Sequence, residues 1–309
     1  MPINPPCHQR FHMNNLVQEF LQILDLETLE HNLFRGTNRA MDGRSVFGGQ
    51  VVAQALTAAH RTLHEHRQAH SLHGYFLRPG DVSTPIIYEV DRIRDGGSFT
   101  TRRVVAIQHG EVIFNLSVSF QADEKGFEHQ AETMPTVPAP EDVEHELEIR
   151  KRVAHNIPVK FRDAFLQPRL IEIRPIDPVD YFEPEAKPPR KRSWFRVPGN
   201  LSGELGVHQA ALTYASDFGL LGCGMLPHQL SFMSPKVQAA SLDHAIWFHH
   251  NFRADEWLLY DMESPSGSGA RSFNRGQIYN QKGVLVASVA QEGLMRVRKP
   301  PKTAPSADQ

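Results

Sequence analysis

Ser71-Leu72 is answered by Ser241-Leu242, and Gln121 by Gln291, each pair 170 residues apart. The surroundings repeat as well. A helix signal runs from Val46 to Leu63, with Val51, Val52, Ala55, Leu56 and Ala59 at helical spacing. Four strand-like strings follow it: SLHGYFLRPG, PIIYEVDRIRDG, SFTTRRVVAIQHG and EVIFNLSVSFQA, punctuated by the turn dipeptides Asp95-Gly96 and His109-Gly110. A second helix pattern runs from Val207 to Leu221 and leads into SLDHAIWFH, EWLLYDMESPS, ARSFNRGQIYNQKG and VLVASVAQEGLMR. The turns at Gly110 and Gly283 are 173 apart, so the register holds to a few residues. One helix followed by an antiparallel meander, met twice, is an internal duplication.

The strands predict how each copy folds. In EVIFNLSVSF, Val112, Phe114, Leu116 and Val118 alternate with Asn115, Ser117 and Ser119, which gives the sheet one buried face. A long helix lying on that face is a hot-dog arrangement. Two in one chain are expected to join their sheets edge to edge and keep both helices on the same side, an α+β double hot-dog.

Composition divides the chain further. The first copy spans 14–122 and the second 193–297. Between them, 123–192 is rich in proline and charge and reads as a surface connection, with a helix expected at 141–154 and a short strand in RLIEIRPI. The last residues, 298–309, read as a disordered tail. With 33 basic against 35 acidic residues the net charge is −2, which excludes a dedicated nucleic-acid binder. Cys7 and Cys223 stand too far apart in sequence for a CxxC pair, which leaves no disulfide framework and no cysteine zinc site. No run of eighteen apolar residues and no signal-like N-terminus occurs, so membrane insertion is not expected.

The common hydrolytic motifs are missing: GxSxG and HExxH do not occur, nor does GxGxxG. The histidine groups at 64, 66 and 70 and at 244, 249 and 250 read as solvated or alternating residues rather than metal ligands. Asp217 is the conspicuous residue. It sits in an apolar helical context, where a carboxylate must be either exposed or held by hydrogen bonds. Ser241 opens the next strand, and Gln291 interrupts the apolar run VLVASVA. By spacing alone these also fit a surface helix residue, a strand-entry hydroxyl and an outward strand position. Gly48-Gly49 opens the first helix and offers backbone N–H groups to a substrate oxyanion, because glycine permits close approach.

The strings VFGGQVVAQAL, HGYFLRPGD, RDGGSFTTRRVVAIQHG, VSFQADEKGFEHQ, YASDFGLL, SLDHAIWFH and LVASVAQEGLMR, in this order and over nearly the whole chain, resemble the acyl-CoA thioesterase II family. The resemblance implies a double hot-dog fold and hydrolysis of medium- to long-chain acyl-CoA to fatty acid and CoA. It places the family's catalytic aspartate on Asp217, its hydroxyl on Ser241 (often threonine in relatives) and its glutamine on Gln291. These residue types suit direct attack by a positioned water without a covalent intermediate. The first copy carries Gln121 and Ser71 but no helix aspartate, so one active site per chain is expected. No cofactor or metal is implied, and the partner is the acyl-CoA substrate. Dimers or tetramers are expected for a fold with exposed sheet surface. The terminal Ala307-Asp308-Gln309 is no peroxisomal address, which points to a cytoplasmic protein. The rival readings are a hydratase or dehydratase on the same fold, which would enlist His73 or His244, and a non-catalytic acyl-CoA sensor.

Overall fold

The computed structural model describes residues 7–41, 45–64, 66–201 and 203–298. Helix α1 (Cys7–Leu24) and the short strands β1 (Glu27–Glu30) and β2 (Leu33–Gly36) precede the first predicted helix, α2 (Gly48–His60). The meander follows as β3 (Gln68–Phe76), β4 (Ile86–Asp95), β5 (Phe99–Gln108) and β6 (Glu111–Gln121). The middle stretch holds α3 (Glu146–Val153), α4 (Val159–Leu166), β7 (Glu172–Pro175) and β8 (Arg190–Arg196). The second copy comprises α5 (Leu205–Ser216), α6 (Gly222–Met225), β9 (Val237–Ser241), β10 (Asp243–Phe248), β11 (Leu258–Ser268), β12 (Arg271–Asn280) and β13 (Leu285–Val297).

These strands form one antiparallel sheet in the order β1-β2-β4-β5-β6-β3-β10-β13-β12-β11-β8-β7, with β9 added on β13. The two copies meet where β3 pairs with β10, Leu72 opposite Ile246. The edge strands left open by each meander thereby cover one another. Turn chemistry follows the sequence: His109 and Gly110 take φ of 52° and 76°, the left-handed pair that a two-residue hairpin between β5 and β6 requires.

The core lies between the sheet and the two helices. Val52, Ala55, Leu56 and Ala59 of α2 and Ala210, Ala211, Leu212 and Ala215 of α5 pack against Leu72, Leu116, Val118, Ile246 and Val289. Each fully buried Leu, Ile or Val contributes roughly 1.5–3 kcal/mol. The alternation expected in β6 holds from Phe114 onward and slips before it. A bulge opposite Ala106 and Ile107 inserts Ile113, which is buried in place of the half-buried Val112.

Two expectations change. The second helix ends at Ser216 rather than Leu221, because Gly219 at φ 81° breaks the helical path and only the short α6 resumes it. The middle stretch does hold a helix, α3, and a strand, β7, near the expected places, and it also supplies β8, which joins β7 to the sheet edge. The boundary read at 192/193 therefore falls inside β8. The expected tail lies outside the described residues, apart from its first residue.

Candidate active site

Asp217 is the residue at which α5 stops, still helical in backbone at φ −81°, ψ −11°. The dipole of its own helix disfavours a carboxylate there, but α2 presents its opposite end. Helix α2 begins after Phe47, whose side chain cannot cap it, leaving orphan N–H groups. The N–H of Gly49 donates to Asp217 Oδ2 at 2.9 Å. The acid of the second copy thus caps the helix of the first. The contact requires glycine: a Cβ on Gly48 would stand 2.7 Å from Asp217 Oδ2, and one on Gly49 only 2.4 Å from the Tyr214 carbonyl oxygen.

Two further donors reach the other carboxylate oxygen. Gln291 Nε2 donates to Asp217 Oδ1 at 2.7 Å, and Ser241 Oγ donates to the same atom at 3.4 Å. Sheet register makes this possible. Ser241 at the end of β9 pairs with Gly293, which shares a face with Gln291 two residues earlier on β13. The three expected side chains meet around one carboxylate, with Gly49 as the fourth member.

Behind them lies a layer whose role the sequence reading missed. His244 Nδ1 is 3.1 Å from Gln291 Nε2, and His244 Nε2 is 2.8 Å from Ser216 Oγ. The Ser216 hydroxyl donates to the Thr213 carbonyl at 2.9 Å, and the Tyr260 hydroxyl donates to the Ser216 carbonyl at 2.9 Å. Burial lowers the His244 pKa from 6.5, against the opposing pull of Asp217 and Asp243. Strand parity carried the signal: His244, Ile246 and Phe248 share the buried face of β10. Ser216 and His244 form a serine–histidine pair, but both are 0% exposed, so a substrate carbonyl cannot reach the hydroxyl.

Aromatic rings wall the front. Phe47 stacks on Phe218 at 4.4 Å between centroids, and Arg169 from the middle stretch lies 4.7 Å over Phe218 while its Nε pairs with Glu146 at 2.8 Å. Phe47, Gly48, Asp217, Phe218 and Ser241 are partly exposed, whereas Gln291 is 1% exposed. The site is open at the carboxylate and closed behind the amide. Such an arrangement can hold a water between a proton acceptor and fixed donors.

Other expected residues stand elsewhere. Gly49 directs its N–H at Asp217, so that donor is occupied and does not face a substrate oxyanion in this structure. Gln121 does not mirror Gln291: its Nε2 lies 3.5 Å from Glu124 Oε2 at the surface. Phe120 takes the corresponding place, 6.0 Å from the His60 ring. His73 lies edge-on to Trp247 at 4.9 Å, on the sheet face away from Asp217. Among the described residues no group of three His, Cys, Asp or Glu side chains is arranged to hold a metal ion.

Comparison with known proteins agrees over about nine-tenths of the chain. The model of the acyl-CoA thioesterase N-terminal domain matches residues 37–121, and that of acyl-CoA thioesterase matches 162–294. Acyl-CoA thioesterase 2 of Haemophilus influenzae is 40% identical over 284 residues, covering 92% of this chain and 99% of that protein. The crystal structure of an acyl-CoA thioesterase II from Mycobacterium marinum is similar at TM-score 0.74 and 42% identity, over 91% of this chain and 99% of that one. A protein with a hot dog fold from Alicyclobacillus acidocaldarius, 20% identical, matches at TM-score 0.73 over 91% of this chain and 99% of its own, a likeness of fold alone. With one sheet built from two helix-wrapping halves, and with a relative 40% identical over 92% of this sequence, the chain belongs to the acyl-CoA thioesterase family.

Proposed function

We propose that the protein hydrolyses medium- to long-chain fatty acyl-CoA to free fatty acid and CoA by direct attack of water. Asp217 takes the proton of the water, while Ser241 and Gln291 orient it toward the thioester carbonyl. The observation that carries this reading is the convergence of Gln291 Nε2, Ser241 Oγ and Gly49 N–H on the partly exposed carboxylate of Asp217. The water's hydrogen goes to the carboxylate and its oxygen to the acyl carbon. The C–S bond then breaks, and the thiolate of CoA leaves and is protonated. The N–H of Gly48, beside the carboxylate and without a partner among the described residues, is the proposed oxyanion donor. The rings of Phe47, Phe76 and Phe218 next to it fit the apolar start of an acyl chain.

In this reading the copy spanning 14–122 frames the site, the copy spanning 193–297 supplies its acid, hydroxyl and amide, and 123–192 contributes Arg169 to its wall. The enzyme serves lipid metabolism in the cytoplasm as a homo-oligomer, a dimer or tetramer. No helix among the described residues is long and apolar enough to cross a membrane. The test is thiol release measured over saturated acyl-CoA substrates from two to eighteen carbons. Release that peaks at medium to long chains is expected. Binding without release at every length would refute hydrolysis.

A further inference from the structure

Gln291 has one amide nitrogen and two neighbours that call for it. Nε2 lies 2.7 Å from Asp217 Oδ1 and 3.1 Å from His244 Nδ1, so both of its hydrogens are engaged. Reversing the amide would set its oxygen against the carboxylate oxygen of Asp217, which is repulsive. His244 Nδ1 must therefore accept, and the ring hydrogen sits on Nε2, aimed at Ser216 Oγ 2.8 Å away. The Ser216 hydroxyl passes its own hydrogen to the Thr213 carbonyl, so every donor in the chain has an acceptor. Gln291 Oε1 is left buried without a protein partner, the amide's one remaining acceptor.

We propose that His244 is a positioning residue: in its Nε2–H tautomer it locks the Gln291 amide with the nitrogen toward Asp217, which fixes the carboxylate that takes the proton of the water. The inference rests on the hydrolytic reading above for its effect on turnover, though not for the tautomer itself. His244 touches neither substrate nor water and acts only through Gln291. The ring is faced by Asp217 from the end of α5, by Asp243 from its own strand and by the hydroxyl of Ser216, behind which stands the neutral phenol of Tyr260. A second proton on the ring would oppose N–H to N–H at Gln291. Neither orientation of the amide would then satisfy both His244 and Asp217. Burial opposes that proton, so the lock holds at neutral pH and fails on acidification below the ordinary histidine range.

The experiment compares His244→Leu, which offers no acceptor, with His244→Asn, whose side-chain oxygen can take the place of Nδ1 without titrating. Both are made in the full chain and checked for an unchanged melting profile. His244→Leu is expected to lower kcat by about ten- to a hundredfold with KM within about twofold, the cost of a misplaced group at the reaction centre. His244→Asn is expected to recover most of kcat and to move the acid limb of the kcat profile to lower pH. A His244→Leu enzyme that keeps its kcat, or a His244→Asn enzyme no better than His244→Leu, overturns the proposal. Should His244→Leu fail to fold, nitrogen-15 NMR of histidine-labelled wild-type protein at pH 7.5 decides the matter. The Nε2–H tautomer supports the lock, and an Nδ1–H or doubly protonated ring refutes it. Wild-type protein that shows this tautomer but releases no thiol would refute the functional reading alone.

Discussion

Helices α2 and α5 lie side by side so that each begins where the other ends, and the two junctions carry different chemistry. At one, Gly49 gives its N–H to Asp217, eleven residues after Gly206. At the other, Gly206 faces the ring of His60, eleven residues after Gly49, with 3.0 Å between a Cβ built there and His60 Nε2. Beyond Asp217 stands the amide of Gln291; beyond His60 stands the ring of Phe120. Burial lowers the His60 pKa from 6.5, outweighing the pull of Glu204. The duplicated frame is shared, and a carboxylate, an amide and a hydroxyl meet at one of its two junctions. The difference teaches that the fold positions a helix end against a helix end, and that a few side chains set the polarity of each junction, on which the proposed reaction depends.

Substitutions at matched positions can break or sharpen this contrast. Asp217→Asn is expected to cost the most, about a thousandfold or more in kcat, within the range of a lost general base. His60→Asn at the other junction should leave kcat within about twofold, as measured by thiol release from the same substrate. Gly49→Ala comes next. Its Cβ would meet the backbone oxygen of Tyr214 at 2.4 Å, so a loss of about 1–3 kcal/mol in urea unfolding and at least tenfold in kcat is expected. Gly206→Ala meets only a side-chain ring and should cost less stability and no activity. Ser241→Ala removes a long bond of 3.4 Å and is expected to lower kcat about tenfold, the low end for a hydrogen bond to a charged group.

The smallest effect concerns pH. Burial lowers the pKa of both His60 and His244 in the folded protein, so the unfolded chain binds more protons below pH 6.5. Stability is therefore full above that value and falls as pH drops from it toward the folded pKa values, by up to about 1.4 kcal/mol per pH unit for each histidine. Urea midpoints at pH 7.5 and 5.5 measure the fall, and His60→Asn and His244→Asn should each flatten it. An unchanged slope in both variants would contradict the assignment.

The double frame was legible from sequence because it leaves local marks, whereas the three polar residues were singled out together only by the family resemblance. Turn dipeptides and alternation mark the strands, the repeat at 170 residues marks the duplication, and Asp217 and Gln291 are polar insertions in apolar runs. What stayed hidden depends on contacts between distant segments. Gly48-Gly49 looked like a substrate-facing pair, but a neighbouring helix end that no local pattern reveals takes up the Gly49 N–H. The parity of β6 puts Leu116, Val118 and Phe120 on its buried face, so Phe120 rather than Gln121 stands at the first junction. His244 was read as one of a group alternating along a strand and was enlisted only for the rival hydratase reading, whereas its parity with Ile246 places it on the buried face behind Gln291. Strand β8 was obscured by the proline and charge around it, because a strand near the sheet edge needs little apolar sequence.

Direct water attack at Asp217 is tested most directly by a single turnover in oxygen-18 water, with enzyme in excess over acyl-CoA. The product fatty acid should carry one labelled oxygen, and the peptide containing Asp217 should show no mass increase. Unlabelled product together with label in that peptide would mean that the carboxylate itself attacks the thioester, which contradicts the role assigned to it here.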